Sequence, residues 1–204
     1  MGHYFSQRPV ARSRPGVVPV RAGELDFELG TDAGVFAKDH LDKGTAVLLD
    51  EMPWPDTDGT VLDLGCGYGP IACALALHRP GSRVYGIDTN ERALELTRAN
   101  AERLGAANLT ACAPDEMPDA LRFDYLYSNP PVRIGKAALH ELLLRWLSRL
   151  TEDGRAYLVV QRNLGSDSLA AWLVAQGYPT GRLASHRGFR VLEVTARTSE
   201  PQQG

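Results

Sequence analysis

The stretch Thr60-Val-Leu-Asp-Leu-Gly-Cys-Gly-Tyr-Gly-Pro70 decides the fold of this chain. It begins with an apolar run of the kind found in a buried strand, and Gly65, Gly67 and Gly69 then stand at every second position. Glycine lets the backbone turn sharply and approach a bound molecule without a Cβ in the way. Pro70 has the fixed φ that suits a first helical position, so a helix is expected to begin there. The stretch therefore predicts a strand, a glycine loop and a helix, the first half of a βαβ unit that binds nucleotide-like ligands.

The spacing of these glycines and the acid before them indicate the ligand. A dinucleotide-binding loop reads G-x-G-x-x-G and holds a pyrophosphate, whereas this loop reads G-x-G-x-G and follows Asp63. A carboxylate there repels a pyrophosphate but suits a cation that carries an amino-acid group. The loop resembles motif I of the class I S-adenosylmethionine-dependent methyltransferases. That resemblance implies that Gly65, Cys66, Gly67 and Gly69 border S-adenosylmethionine and that Asp63 faces its methionine end.

Two later positions carry acids in the order expected for this cofactor. The predicted strand at residues 83–87 ends in Asp88, about 20 residues after the glycines, where an acid can accept both hydroxyls of a ribose. An isolated acid there more often caps a helix, but Asn90 is available as that cap, so Asp88 is expected to bind the ribose. Thr89 beside it is expected to border the cofactor. In class I methyltransferases an acid after the third strand commonly contacts adenine. Asp115 is the expected residue here, with Glu116 as its competitor.

A second motif, Asn129-Pro130-Pro131, follows the strand predicted at residues 122–128. Consecutive prolines stiffen the backbone, so the Asn129 side chain and the Pro130 carbonyl can form a fixed pair of acceptors. Such a pair can take both hydrogens of a planar amino group and direct its lone pair at a sulfonium methyl. Positioning then matters more than a strong base. Asn129 and Pro130 are the predicted catalytic residues, and Asn129 is also expected to border the cofactor.

The order of glycine loop, ribose acid and Asn-Pro-Pro resembles the amino-directed class I methyltransferases. The likeness is greatest to the methyltransferase small domain family and its bacterial enzymes that methylate the guanine exocyclic amine of 16S or 23S ribosomal RNA, and it runs from about residue 27 to residue 192. It implies an α/β Rossmann-like fold with a seven-stranded, mostly parallel sheet, an antiparallel last strand and helices on both faces. It also implies transfer to guanine N2 of ribosomal RNA or of a ribosomal subunit, by a chain expected to be monomeric.

The same resemblance implies a target pocket walled by Phe36, Lys38 and Asp42, which precede motif I. Many relatives carry an aromatic ring after the two prolines, where this chain has Val132. Base stacking on such a ring is worth about 1–3 kcal/mol, so another ring is expected to replace it, or the substrate is held differently. Basic residues after the motif either hold phosphate or are loop charges at a helix start. The predicted substrate-binding residues are Phe36, Lys38, Pro131, Val132, Arg133, Lys136 and Phe189.

Two other functions compete with this one. The net charge of −3 argues against a large nucleic-acid footprint and favours N-methylation of a small metabolite. A cofactor-binding module without catalysis is the third possibility. The intact Asn129-Pro-Pro131 motif argues against it, because a scaffold has no use for an amine clamp.

The composition suits one domain, with 204 residues of which 44% are hydrophobic. Residues 1–23 contain four arginines and no acid, and three prolines interrupt them. They are expected to form a flexible basic arm, which either contacts phosphate or is a solvated terminus. The methyltransferase domain is then expected over residues 24–198, and a disordered tail over 199–204.

Some local features complete these expectations. Apolar and polar residues alternate around a turn, which predicts a hairpin over residues 25–38, and Thr45 is the expected N-cap of a short helix. No apolar run approaches 18 residues, so a soluble cytoplasmic protein with no membrane contact is expected. Cys66, Cys73 and Cys112 match no metal-ligand spacing and are expected to be reduced thiols, with no metal bound.

Overall fold

The computed structural model describes residues 12–197. Its first elements are the antiparallel strands β1 (Gly16–Ala22) and β2 (Leu25–Thr31), which form a separate two-stranded sheet. Exposed and buried side chains alternate along β1, and Val18 and Val20 lie in the hydrophobic core. The expectation of a flexible arm is therefore wrong for residues 16–22, because the strand buries its apolar face. Residues 1–11 of the expected arm and the whole of the expected tail, residues 199–204, lie outside the described residues.

The hairpin predicted over residues 25–38 is also wrong. β2 pairs with β1 across a turn at Gly23 and Glu24, and Gly23 has a positive φ of 59°. The segment between β2 and the first helix is turn-rich and contains no strand. Within it Ala37 has φ 53°, a left-handed conformation that is uncommon for a residue with a side chain.

The first helix, α1 (Lys43–Glu51), begins at a different residue from the one predicted. Asp42 is its N-cap, and the Asp42 carboxylate accepts hydrogen bonds from the backbone N–H groups of Gly44 and Thr45 at 2.8 and 3.0 Å. Aspartate is among the preferred N-cap residues because its side-chain oxygen satisfies N–H groups that have no partner within the helix. The prediction of Thr45 as N-cap is therefore wrong by three residues.

The central sheet has seven strands. They are β3 (Thr60–Leu64), β4 (Arg83–Ile87), β5 (Leu109–Cys112), β6 (Phe123–Ser128), β7 (Leu150–Gln161), β8 (Thr180–His186) and β9 (Phe189–Thr195). Their order is β5-β4-β3-β6-β7-β9-β8, in which β3 to β7 are parallel and β9 is antiparallel to both of its neighbours. The prediction of a seven-stranded, mostly parallel sheet with an antiparallel last strand is confirmed. β8 and β9 form a hairpin that closes the sheet, and its turn is Arg187-Gly188.

Four more helices complete the fold. They are α2 (Pro70–His78), α3 (Glu91–Leu104), α4 (Lys136–Leu147) and α5 (Ser166–Ala175). Alternate side chains of β3 pack on opposite faces of the sheet, Val61 with α1, α2 and α3, and Leu62 with α4 and α5. Helices on both faces are thus confirmed, as is Pro70 at the start of α2.

This topology brings the predicted motifs to one edge of the sheet. The glycine loop follows β3, Asp88 follows β4 and Asn129 follows β6, and β4 and β6 are the two neighbours of β3. Phe189 begins the antiparallel β9 and pairs with Gln161 at the end of β7, so it reaches the same edge. We call this side of the molecule the carboxyl edge. Ligands of open α/β sheets bind at such an edge, where the strand order reverses.

Two kinds of feature are absent from residues 12–197. None of their helices combines the length and apolar character that crossing a membrane requires. Nor do these residues contain three or more His, Cys, Asp or Glu side chains grouped so that they could hold a metal ion. Cys66, Cys73 and Cys112 are free thiols.

Candidate active site

The glycine loop between β3 and α2 borders open space. Gly65 and Gly67 have φ values of 79° and 57°, and a Cβ built on either would meet no atom within 4 Å. The N–H groups of Gly65 and Cys66 both donate to the Ile87 carbonyl at 2.9 Å, which holds the loop against β4. Burial raises the pKa of the Cys66 thiol well above its usual value, which favours the neutral thiol. The loop is therefore shaped for close approach of a ligand to its backbone.

Asp63 lies at the base of this loop and is completely buried. Its Oδ2 accepts a 2.9 Å hydrogen bond from the Ala72 N–H in the first turn of α2, but its Oδ1 has no partner among the described residues. Burial raises the pKa of Asp63 to about 8. A buried carboxylate oxygen needs a donor, and the ammonium of a methionine moiety would supply both a donor and a positive charge. The residues present therefore fit S-adenosylmethionine at this position.

Asp88 is held beside the same loop, as its position after β4 predicted. Its Oδ2 accepts from the Gly67 N–H at 3.0 Å and its Oδ1 from the Asn90 N–H at 2.9 Å. Burial raises the pKa of this carboxyl. A carboxylate can accept about four hydrogen bonds, so this one can also accept from a ribose hydroxyl. Asn90 is the N-cap of α3, which leaves Asp88 available for a ligand, and Thr89 between them is exposed.

The two acids after β5 differ in their surroundings. Asp115 is exposed and forms an ion pair with Arg145 at 3.2 Å. The Oε2 atom of Glu116 accepts a hydrogen bond from the Ala113 N–H at 2.8 Å. Contact of either acid with adenine stays a prediction, with Asp115 first and Glu116 second.

The Asn129 side chain is fixed by two acceptors on α1 and its cap. Its Nδ2 donates to the Asp42 carboxylate at 2.6 Å and to Thr45 Oγ1 at 3.1 Å. A carboxylate can only accept, so Nδ2 must face Asp42 and Oδ1 must face the other way. No donor among residues 12–197 bonds to this Oδ1. The side chain therefore presents one free acceptor of fixed direction.

The backbone after Asn129 makes a tight turn. Pro131 has φ −74° and ψ 70°, and the Val132 N–H donates to the Pro130 carbonyl at 2.8 Å, which is the pattern of an inverse γ-turn. One lone pair of the Pro130 carbonyl is used in this bond and the other is available. The two acceptors that the sequence predicted are thus both held rigidly.

A small space separates Asn129 from an aromatic ring. A Cβ built on Gly44 would stand 3.2 Å from Asn129 Oδ1 and 3.1 Å from Phe189 Cε1. The absence of a side chain at Gly44 therefore keeps room between the amide and the ring. Phe36, the other ring expected to replace the missing aromatic, is 55% exposed on the segment before α1. Of the two rings, the structure brings Phe189 beside Asn129.

The remaining predicted substrate residues have varied environments. Val132 is half-buried, packs against the core beneath α4 and, with Lys136, lines a small cavity of about 120 Å³. Arg133 and Lys136 are exposed, and Pro131 is half-buried. Lys38 forms an ion pair with its neighbour Asp39 at 2.5 Å. Contact of these residues with a substrate stays a prediction.

Some residues near the site were not predicted from the sequence. Asn100 of α3 is buried and donates to the Gly30 and Tyr68 carbonyls at 2.9 Å each, which ties β2 to the glycine loop. Thr97 of α3 donates to the Gly67 carbonyl at 2.9 Å. Two polar residues on the buried face of an otherwise amphipathic helix were the signal that could have identified them.

Tyr68 and Thr45 were missed as well. The Tyr68 hydroxyl is buried and has no hydrogen-bond partner among residues 12–197. Burial, followed by the nearby negative charge of Asp42, raises the pKa of Tyr68 to about 12. No local pattern marks either residue as part of the site. Tyr68 approaches Asp42, and Thr45 accepts from Asn129, only in the folded chain.

The sequence matches the model of the methyltransferase small domain family over residues 26–193. It is 35% identical over 169 residues to YbxB of Bacillus subtilis, an uncharacterized protein, a match that covers 81% of this chain and 84% of that protein. It is 34% identical over 151 residues to the ribosomal RNA small subunit methyltransferase C of Shewanella amazonensis. That match covers 71% of this chain but only 43% of the Shewanella enzyme.

The fold is similar to solved structures. The T. thermophilus 16S rRNA N2 G1207 methyltransferase, solved with AdoMet and guanosine, superposes with a TM-score of 0.75 at 22% identity. The superposition covers 93% of this chain and 52% of that chain. A precorrin-6y C5,15-methyltransferase from Geobacter metallireducens gives a TM-score of 0.61 at 18% identity. At these low sequence identities, the structural similarity establishes only the fold of this chain.

Proposed function

The chain belongs to the methyltransferase small domain family, and we propose that this S-adenosylmethionine-dependent methyltransferase acts on the exocyclic amine N2 of a guanine in ribosomal RNA. The observation that carries the proposal is the fixed amide of Asn129, whose Nδ2 donates to Asp42 and Thr45 and whose Oδ1 accepts from no donor among residues 12–197. Similarity to ribosomal RNA methyltransferases supports the choice of acceptor. This chain spans less than half of the Shewanella enzyme, so the identity of the methyl acceptor is a proposal for this chain.

The cofactor residues have separate roles in this proposal. Asp63 Oδ1 accepts from the ammonium of the methionine moiety, and Asp88 accepts from the ribose hydroxyls. Gly65 and Gly67 let the cofactor approach the loop backbone, since a Cβ there would project into open space. Asp115, or Glu116 in its place, accepts from the adenine amine. When bound, S-adenosylmethionine supplies a methyl group on a positively charged sulfur, a good leaving group.

The acceptor amine is held by two oxygens. Asn129 Oδ1 and the Pro130 carbonyl each accept one N–H of the guanine amine. The nitrogen lone pair then points out of the plane of the guanine ring. With the amine held in this way, methyl transfer would form the N–C bond and release the cofactor's sulfur as a neutral thioether, and the nitrogen would then lose a proton to water. Orientation by fixed acceptors is worth several orders of magnitude in rate, so no histidine base is required.

Phe189 is the ring proposed to stack on the target guanine. It is half-buried at the start of β9 and faces the same small space as Asn129 Oδ1. Val132 occupies the position of the stacking aromatic in many relatives, but its side chain packs into the core. A ring supplied by β9 would compensate for that substitution, with Phe36 on the exposed segment as an additional wall.

Label transfer tests the proposal directly. The full chain is incubated with labelled S-adenosylmethionine and with 16S RNA, 23S RNA and both ribosomal subunits, each prepared from cells that lack the gene. We expect label in at least one RNA, recovered after nuclease digestion as N2-methylguanosine. Absence of label from every RNA and subunit, with label in a small-molecule extract, would overturn the RNA acceptor and support N-methylation of a metabolite.

A further inference from the structure

Four exposed basic side chains follow the carboxyl edge of the sheet near Asn129. None of them has an acidic partner among residues 12–197, whereas Arg190 on the same side is neutralised by an ion pair with Asp167. The four residues are Arg133, Lys136, Arg162 and Arg187, and we call them the basic arc. The net charge of the whole chain is −3, so this positive charge is a local concentration.

The structure connects these four residues into one surface. The Arg162 N–H donates to the Gly188 carbonyl at 2.9 Å, which joins the end of β7 to the β8–β9 turn that carries Arg187. Lys136 lines the cavity of about 120 Å³ together with Leu164 and Gly165, which follow Arg162. The surface therefore runs from the start of α4 through residues 162–165 to the β8–β9 turn.

The backbone at the end of this surface is unusual. Arg187 has φ 50°, a left-handed conformation that glycine or asparagine adopts more readily. Gly188 has φ 82°, and a two-residue hairpin turn of type I′ requires a positive φ at both central positions, so the turn itself accounts for the conformation of Arg187. Phe189, two residues later, places the turn next to the space between its ring and Asn129.

We infer that the basic arc binds the phosphates of the RNA strand that presents the target guanine, an inference that rests on the proposed function. Separated positive charges along an edge match the repeated charges of a nucleic-acid backbone, whereas a small metabolite would fit within the pocket. Phosphate contacts position a strand without reading its bases. The arc therefore sets the affinity for RNA, and Asn129 and Pro130 act on the amine.

The test measures binding of the full chain to a fluorescent RNA hairpin with unpaired guanines, over a range of salt concentrations and without methyl transfer. The test variant is R133Q/K136Q/R162Q/R187Q. The matched control, R21Q/R83Q/R122Q/R155Q, also removes four exposed positive charges. Of these residues, Arg83 and Arg122 lie at the opposite edge, where β4 and β6 begin. Thermal unfolding and S-adenosylhomocysteine binding verify that both variants are folded.

For the arc variant we expect an affinity lower by about 100-fold at 0.1 M salt. We also expect the slope of log K against log salt to flatten by about 3, since each single-strand phosphate contact contributes about 0.7. The control should retain the wild-type slope. R187G is a second variant that relieves the left-handed strain while it removes one charge, and it should flatten the slope by about 0.7.

The outcomes separate the two proposals. An arc variant with wild-type affinity and slope, from a wild-type chain that binds the hairpin, overturns the basic arc and leaves the proposed function standing. Equal losses in the arc variant and the control also overturn it, because the effect would then follow from net charge alone. A wild-type chain that binds neither the hairpin nor ribosomal RNA overturns both proposals.

Discussion

Asp42 and Asn129 lie 87 positions apart in the sequence, and the Asp42 carboxylate accepts a 2.6 Å hydrogen bond from Asn129 Nδ2. The same Asp42 oxygen accepts from the Gly44 and Thr45 N–H groups and so begins α1. One oxygen therefore both starts a helix and sets the rotation of the amide. Because Nδ2 is committed to this bond, Oδ1 is the atom left to accept from a substrate amine.

Exchanging the two side chains tests this relationship. N129D alone would place two carboxylates within hydrogen-bond distance, where both cannot ionise freely, and we expect kcat to fall by about 100-fold. D42N/N129D restores one amide and one carboxylate, with the amide now at position 42 and the carboxylate at position 129. We expect its kcat to be at least about 10-fold higher than that of N129D. Steady-state kinetics with the RNA acceptor measures both values. A double variant no better than N129D would show that the pair does not orient the site.

Removal of the amide gives a second prediction. N129A loses one of the two acceptors proposed for the amine, and we expect kcat to fall by about 100- to 1,000-fold, the usual loss for a fixed polar contact to a reacting group. The cofactor contacts through Asp63 and Asp88 remain, so calorimetry should show nearly unchanged affinity for S-adenosylhomocysteine. If turnover survives, the amine clamp is wrong.

Gly44 offers a steric test of the same space. In G44A the new Cβ would stand 3.1 Å from both Phe189 Cε1 and Asp42 Oδ1, and 3.2 Å from Asn129 Oδ1. Alanine favours the helix by about 1 kcal/mol, so the melting temperature should not fall by more than a few degrees. We expect kcat/KM for the acceptor to fall by at least about 10-fold. G181A is the matched control, because a Cβ there meets no atom within 4 Å, and it should retain activity.

The sequence predicted those parts of the site that have local signals. The glycine loop, Asp88 and Asn129 each follow a strand within a few residues, and adjacent parallel strands bring such positions to one edge. The bond from Asn129 to Asp42 and Thr45 could not be predicted, because only tertiary packing brings α1 to the end of β6. β1 was missed because the three prolines of residues 1–23 suggested a flexible arm, yet Pro19 is exposed and lies in a two-stranded sheet that tolerates it.

The placement of β1 leads to a stability prediction. Val20 is fully buried in the core, whereas Val17 on the opposite face of the same strand is 60% exposed. V20A should lower the free energy of unfolding by about 1–3 kcal/mol, through lost burial and a residual cavity. V17A should change it by no more than about 0.5 kcal/mol. Urea denaturation measures both, and equal effects would mean that β1 is not docked on the domain.

The raised pKa of Asp63 predicts a pH dependence with a defined sign. A carboxyl whose pKa is raised from 3.8 to about 8 by burial binds its proton more tightly in the folded chain than in the unfolded chain. Its contribution to the stability of the ligand-free chain is therefore full below pH 4 and is lost as the pH rises towards 8. Binding of the cofactor ammonium favours the carboxylate, so below pH 8 binding should release on the order of one proton.

Calorimetry of S-adenosylhomocysteine binding in buffers of different ionisation enthalpy measures that release. We expect proton release at pH 6.5 and little at pH 9, with affinity rising between them. D63N cannot ionise, so it should bind more weakly and show no release through this group, while the Ala72 N–H keeps its acceptor. If proton release persists unchanged in D63N, the proton comes from another group. Asp88 is then the next candidate, because burial raises its pKa as well. In that case Asp63 would have a structural role at the start of α2 rather than a direct contact with the methionine end.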